Sequence, residues 1–169
     1  GDIIVVLPGH TESAAALTGL VAGTKIIGLG HGSARPTITW AATGSTWALN
    51  VADVAISGLK LDLGGANGVT KAINVTGANS LIESCHVIMG TSATLKAVIG
   101  VEYGTGSGGA QFLNNLVEGV IAGAVTDGIL VAAVANNIRI CDNEFNFAAA
   151  TTSMVRVGAV AALDRKSVV

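Results

Sequence analysis

One pattern constrains this chain more than any other. Apolar residues alternate as far as Ile56, slip by one position, and resume through Leu59 and Leu61. The same alternation, slip and resumption recur at Ile82, Cys85 and Val87, at Phe112, Asn115 and Val117, and at Ile140, Asn143 and Phe145. Side chains alternate faces along a strand, so alternation marks what points inward. A one-residue slip that keeps the inward set inward is a corner where the chain changes sheets.

A second motif, two apolar β-formers flanking one free position, returns as Leu49-Asn50-Val51, Ile73-Asn74-Val75, Ile99-Gly100-Val101, Ile129-Leu130-Val131 and Val155-Arg156-Val157, at spacings of 24, 26, 30 and 26 residues. Two strands per coil thus keep returning in a fixed order, and repeats of this length stack into solenoids. Thr24 to Leu29 matches Val54 to Leu59 at a separation of 30, and Ile3 to Leu7 supplies an earlier strand. The expectation is an all-β fold, a single-stranded right-handed parallel β-helix with coils of about 23–30 residues, forming one domain over residues 1–169. The start at Gly1 and the end at Asp164-Arg-Lys-Ser-Val-Val169, within a coil and without a capping helix, suggest a segment of a longer chain or an end covered by a partner. Residues 12–18 admit one short helical turn. An antiparallel sandwich would carry hairpin signals every 8–12 residues or so, whereas Asn-Gly occurs once, at Asn67-Gly68.

The positions just past the corner are Leu59, Cys85, Asn115 and Asn143. Equivalent positions on successive coils stack at about 4.8 Å. Asn115 and Asn143 are therefore expected to link their amides in a ladder that satisfies buried backbone groups.

Composition narrows function. Charged residues make up 12% of the 169-residue chain, the net charge is −2, and nine basic residues are scattered, so no basic stripe can neutralise a run of phosphates. Nucleic acid is not an expected partner. No apolar run reaches the roughly 18 residues of a spanning helix, so membrane insertion is not expected either. Cys85 and Cys141 are too few for a disulfide framework, and their opposite orientations two coils apart predict free thiols, Cys85 in the core and Cys141 at the surface or an interface.

The coil motifs resemble the pectate-lyase-like superfamily of right-handed β-helices, and Gly1-Asp-Ile-Ile-Val-Val-Leu-Pro-Gly-His10 looks like that superfamily's first coil. Pro8-Gly-His-Thr-Glu12, Ile26-Ile-Gly-Leu-Gly-His-Gly32 and Arg35-Pro-Thr-Ile38 resemble β-helix proteins that bacteriophages and prophages encode as virion components. That resemblance implies a tail spike, tail fibre or head-associated fibre or decoration protein, commonly trimeric, located on an extracellular particle and presenting a rod to host surface glycans. The superfamily also contains polysaccharide lyases and glycoside hydrolases, which makes such an enzyme the alternative reading.

The residues themselves favour the non-catalytic reading. Glycoside hydrolysis needs two carboxyl groups roughly 5–10 Å apart on one face. The outward rows read Lys60, His86, Leu116, Glu144 and Asp62, Ile88, Glu118, Asn146, with no carboxylates on neighbouring coils. Glu83 with His86 and Asp142 with Glu144 mark coil edges two rungs apart, about 10 Å. His10 and His31 sit in glycine-flanked turns and read as turn residues. No catalytic residue, metal site or cofactor is expected. Trp40 and Trp47, flanking a Thr-Gly turn, are candidate glycan contacts by stacking, or else core residues of the first coils. Leu81, Ile88, Leu113, Leu116 and Leu130 fall on outward parity, and a stripe of them along the rod would be a candidate interface of a homotrimer.

Overall fold

The computed structural model describes all residues except 15, 93, 120–125, 133–134, 148–152, 159–166 and 169. The chain winds through three parallel sheets, giving one strand to each on every pass. The first pass contributes β1 (Ile3–Val6), β2 (Thr11–Ala14) and β3 (Ala16–Leu17), and the second β4 (Lys25–Gly28), β5 (Thr37–Trp40) and β6 (Thr46–Leu49). The third contributes β7 (Ala55–Ser57), β8 (Lys60–Asp62) and β9 (Val69–Val75), and the fourth β10 (Leu81–Glu83), β11 (His86–Ile88) and β12 (Ala97–Tyr103). The fifth adds β13 (Gln111–Leu113), β14 (Leu116–Gly119) and β15 (Asp127–Val131), the sixth β16 (Arg139–Cys141), β17 (Glu144–Phe147) and β18 (Ser153–Val157), and β19 (Ser167–Val168) rejoins the first sheet. The strands pair in parallel throughout, so the protein is a β-solenoid and not an antiparallel sandwich. Helix among the described residues amounts to one 3-10 turn, Gly32–Ala34.

The corner read from the sequence lies between the first and second sheets. Ile56, Ile82, Phe112 and Ile140 stack on one side of it and Leu61, Val87 and Val117 on the other, all essentially buried. The slip has a backbone cause. Gly58, Ser84, Asn114 and Asp142, each directly after a first-sheet strand, adopt φ of 70°, 52°, 53° and 57°. Two residues before the first-sheet strands stand Gly23, Asp53, Asn79, Gly109 and Asn137, also left-handed. Glycine and asparagine tolerate that conformation where most residues do not. β7, β10, β13 and β16 are thus each bracketed by two left-handed residues. At Gly58 no side chain would fit, since an added Cβ would meet the Gly28 carbonyl oxygen at 2.4 Å.

Three details depart from the sequence reading. Each pass holds three strands and not two, because the corner splits the longer motif. The shorter motif is out of register at two of its five sites: Ile73-Asn74-Val75 pairs with Trp47-Ala48-Leu49 and with Val101-Glu102-Tyr103, not with residues 49–51 or 99–101. A shift of two preserves inward parity, so alternation of apolar residues cannot detect it. Of residues 12–18, allowed a helical turn, 12–14 belong to β2 and 16–17 to β3, whose backbones pair with β5 and β6.

The first rung is open. Ile4 stacks on Ile26, yet it is 44% exposed where Ile26 is 5% exposed, because the described chain places nothing above it. The edge strand β1 also exposes Ile3 and Val5. In β2 the position that stacks on buried Ile38 is Glu12, an inward-register charge of the kind that discourages edge pairing. The open end is therefore apolar along β1 and charged along β2.

Candidate functional site

Most residues singled out by sequence prove to hold the rod together. The Asn ladder is present: Asn115 Nδ2 donates to Asn143 Oδ1 at 3.1 Å and to the Ile82 carbonyl at 3.1 Å, while its Oδ1 accepts the Cys85 backbone N–H at 2.9 Å. One rung on, Asn143 Oδ1 accepts the Asn115 N–H at 2.9 Å and Nδ2 donates to the Phe112 carbonyl at 2.9 Å. Cys85 extends the ladder backwards. Its thiol points to the Glu83 carbonyl at 3.2 Å and, more weakly, to the Ile56 carbonyl at 3.9 Å, the acceptors equivalent to the Cys141 and Phe112 carbonyls that Asn143 uses two rungs on. Reading Cys85 only as a small core residue missed this, because a thiol seldom replaces an amide in sequence patterns.

Burial pushes the Cys85 thiol from its ordinary value of 9.0 up to about 12, against smaller opposing contributions from the Leu59 backbone and the Arg35 charge. Cys85 and His86 are consecutive in an extended segment and face opposite sides, so they do not form a nucleophile–base pair. The linkage has a definite sign. Between pH 9 and about 12 the unfolded thiol loses its proton while the folded one keeps it, so the stability is whole below 9 and drains away as pH rises. Denaturant titrations should show this alkaline loss, and Cys85→Asn, which keeps the ladder without an ionisable group, should make it shallower.

The tryptophan expectation is corrected toward the core. Trp40 is fully buried and Trp47 is 5% exposed; the rings lie 5.0 Å apart, tilted by 41°. Trp40 Nε1 donates to the Ala72 carbonyl at 2.8 Å. Neither indole has a free face for a sugar. The outward leucines are corrected as well. Leu81 and Leu113 lie on the first sheet, Ile88 and Leu116 on the second, Leu130 on the third, all half-buried. Within a sheet they are offset, Leu81 facing Gln111 and Leu113 facing Glu83, so the five form no single stripe. Cys141 is on outward parity as expected but is 7% exposed, because Arg139 lies on it with Nε 3.0 Å from Sγ. Both cysteines are free.

His10 and His31 are exposed turn residues, His10 lying 3.2 Å from Glu12. Glu83 and His86 sit two rungs from Asp142 and Glu144, on the register His86, Leu116, Glu144. On the third sheet, Arg156 grips the fully buried Asp127 carboxylate through Nε and Nη2, at 2.8 and 2.6 Å, and Lys71 meets Glu102 at 2.8 Å. These pairs brace neighbouring rungs. Among the described residues no group of three or more His, Cys, Asp and Glu could hold a metal ion, and no helix is long and apolar enough to cross a membrane.

One constellation was not found by sequence. His86 Nε2 lies 2.6 Å from Glu118 Oε2, both groups partly buried. In register His86 faces Leu116 and Ile88 faces Glu118, so the contact is diagonal. Reading along rows overlooks diagonals, although they remain within reach of long side chains. Beside this pair, a pocket of about 460 Å³ opens at the corner of the first two sheets. Gly32 and Arg35, from the long connection between β4 and β5, wall it on one side. Ser84, His86, Asn114 and Leu116, from the fourth and fifth passes, form the other. The connection exists because the second pass spends eight residues, 29–36, where later passes turn the corner in two. Arg35 is half-buried, and its Nε is buried without a hydrogen-bond partner.

A rod of three parallel sheets with one solvent-facing polar corner defines the protein as a β-solenoid carrying a candidate binding pocket. No family model, curated protein or solved structure matches the chain.

Proposed function

We propose that the chain is a structural module of a bacteriophage particle, a tail fibre, spike shaft or capsid-associated decoration, that works outside the cell as a homotrimer with other virion proteins and presents its side to host polysaccharide. The observation that supports a structural role most is where the polar side chains are used: the Asn115–Asn143 ladder and the Arg156–Asp127 and Lys71–Glu102 pairs tie neighbouring rungs of the stack together, which suits a rod. The virion assignment rests on the resemblance of the Pro8 to Glu12, Ile26 to Gly32 and Arg35 to Ile38 segments. With the tryptophans in the core, the polar corner is the candidate for glycan contact.

A second reading, a polysaccharide-degrading lyase or glycoside hydrolase, is favoured by the His86–Glu118 contact beside Arg35, a base-and-carboxylate pair at the rim of a pocket. Against hydrolysis, Glu118 and Asp62 share a row with Ile88 between them, two rungs or about 10 Å apart, slightly beyond the spacing of inverting carboxylates. The two readings separate on purified bacterial surface polysaccharide. Retention without release of reducing ends or unsaturated products is expected. Release that disappears in His86→Ala would replace the structural reading with the enzymatic one.

A further inference from the structure

We propose that the corner pocket binds a monovalent carboxylate, held by the Arg35 guanidinium with neutral donors from Ser84 and Asn114. Of the described arginines, Arg139 donates to Cys141 and Arg156 is clamped on Asp127, whereas Arg35 meets no carboxylate among the described residues and leaves a buried Nε–H unsatisfied. An unmade hydrogen bond on a buried donor is costly, and buried polar groups in native proteins are nearly always paired. The pocket supplies room for the missing acceptor. Arg35 lines that space and is only half-buried, and the Nε–H with a terminal N–H supplies the two parallel donors that match the two oxygens of a carboxylate.

The surrounding charges select the ligand's valence. Glu83 is outward on β10 just before the corner, Glu118 stands behind His86, and Lys60 stacks beside His86 one rung back, so two cationic side chains balance two carboxylates. That balance disfavours a doubly charged phosphate or sulfate and leaves a single negative charge, read by shape and not by long-range attraction. Ser84 and Asn114 are exposed at left-handed corner positions, which carry their side chains outward at the pocket's wall. Binding at this corner holds whether or not the rod belongs to a virion.

The test titrates the full chain with sodium acetate and sodium glucuronate against sodium chloride at constant ionic strength, following the Arg35 Nε–H resonance and the thermal midpoint. Both carboxylates are expected to move the resonance and to raise the midpoint by about 3 °C near saturation. Glucuronate binding about tenfold tighter than acetate identifies a sugar acid as the source, and equal affinities identify the carboxylate alone. Arg35→Met is expected to abolish the response while keeping or raising thermal stability, since it removes an unsatisfied donor, and Arg35→Lys, which keeps charge without the fork, is expected to lose most of it. A resonance that does not move, a chloride response equal to the carboxylate responses, or an undiminished response in Arg35→Met overturns the proposal.

Discussion

Trp40→Ala is expected to lower the unfolding free energy by about 4–5 kcal/mol, the largest loss of any single substitution considered. Truncating a fully buried indole costs about 3–5 kcal/mol through lost burial and the cavity left behind. Here the Ala72 carbonyl also loses its donor, and Trp47 loses the ring it leans on. Trp40→Phe isolates the polar part, because it keeps most of the ring and removes only Nε1; the expected cost is about 1–3 kcal/mol. Denaturant midpoints read at constant slope check both values. Unchanged stability together with lost glycan retention would return Trp40 to the surface platform that its sequence context first suggested.

Asn115→Ala is expected to cost about 2–5 kcal/mol. The side chain is 1% exposed and serves two backbone groups, accepting from the Cys85 N–H through Oδ1 and donating to the Ile82 carbonyl through Nδ2. Leaving the Cys85 N–H unpaired costs about 1–3 kcal/mol, and the lost bonds to the Ile82 carbonyl and to Asn143 add about 0.5–1.5 kcal/mol each. Asn143→Ala should cost less, because Asn143 is only half-buried near the sixth pass. Equal losses at the two positions, or a negligible loss at Asn115, would show that water replaces the amide and that the ladder adds little. Hydrogen exchange at the Cys85 amide gives an independent reading, since that proton should exchange faster in Asn115→Ala than in the parent chain.

What could be read in advance follows from what alternation can encode. The corner between the first two sheets was legible because a left-handed residue at Gly58, Ser84, Asn114 and Asp142 shifts inward parity by one, and parity is visible in apolar spacing. The register of the third sheet was not, because Trp47 and Tyr103 fill positions otherwise taken by aliphatic residues and a shift of two leaves parity unchanged. The Asn ladder was legible from two asparagines at one stacked position. Its extension to Cys85 required seeing a thiol direct itself to the equivalent carbonyls. The pocket was legible only in pieces. Arg35 lay in a segment noted for its resemblance, and His86 and Glu118 lay in adjoining outward rows, but their meeting depends on a diagonal contact and on an eight-residue connection whose path no periodicity describes.

The outward apolar residues carry the same lesson for assembly. Five residues of outward parity suggested one lateral stripe, and three sheets meeting at corners distribute them over three faces. Among the described residues, large apolar side chains are exposed instead along β1, at Ile3, Ile4 and Val5.

Native mass spectrometry of the purified chain beside Ile4→Lys tests the structural role most directly. Assembly that buries the exposed Ile3, Ile4 and Val5 predicts an oligomer for the parent chain at micromolar concentration, and a monomer for Ile4→Lys that retains its β-sheet circular dichroism. A parent chain that stays monomeric, or an Ile4→Lys variant that assembles as well as the parent, would contradict it.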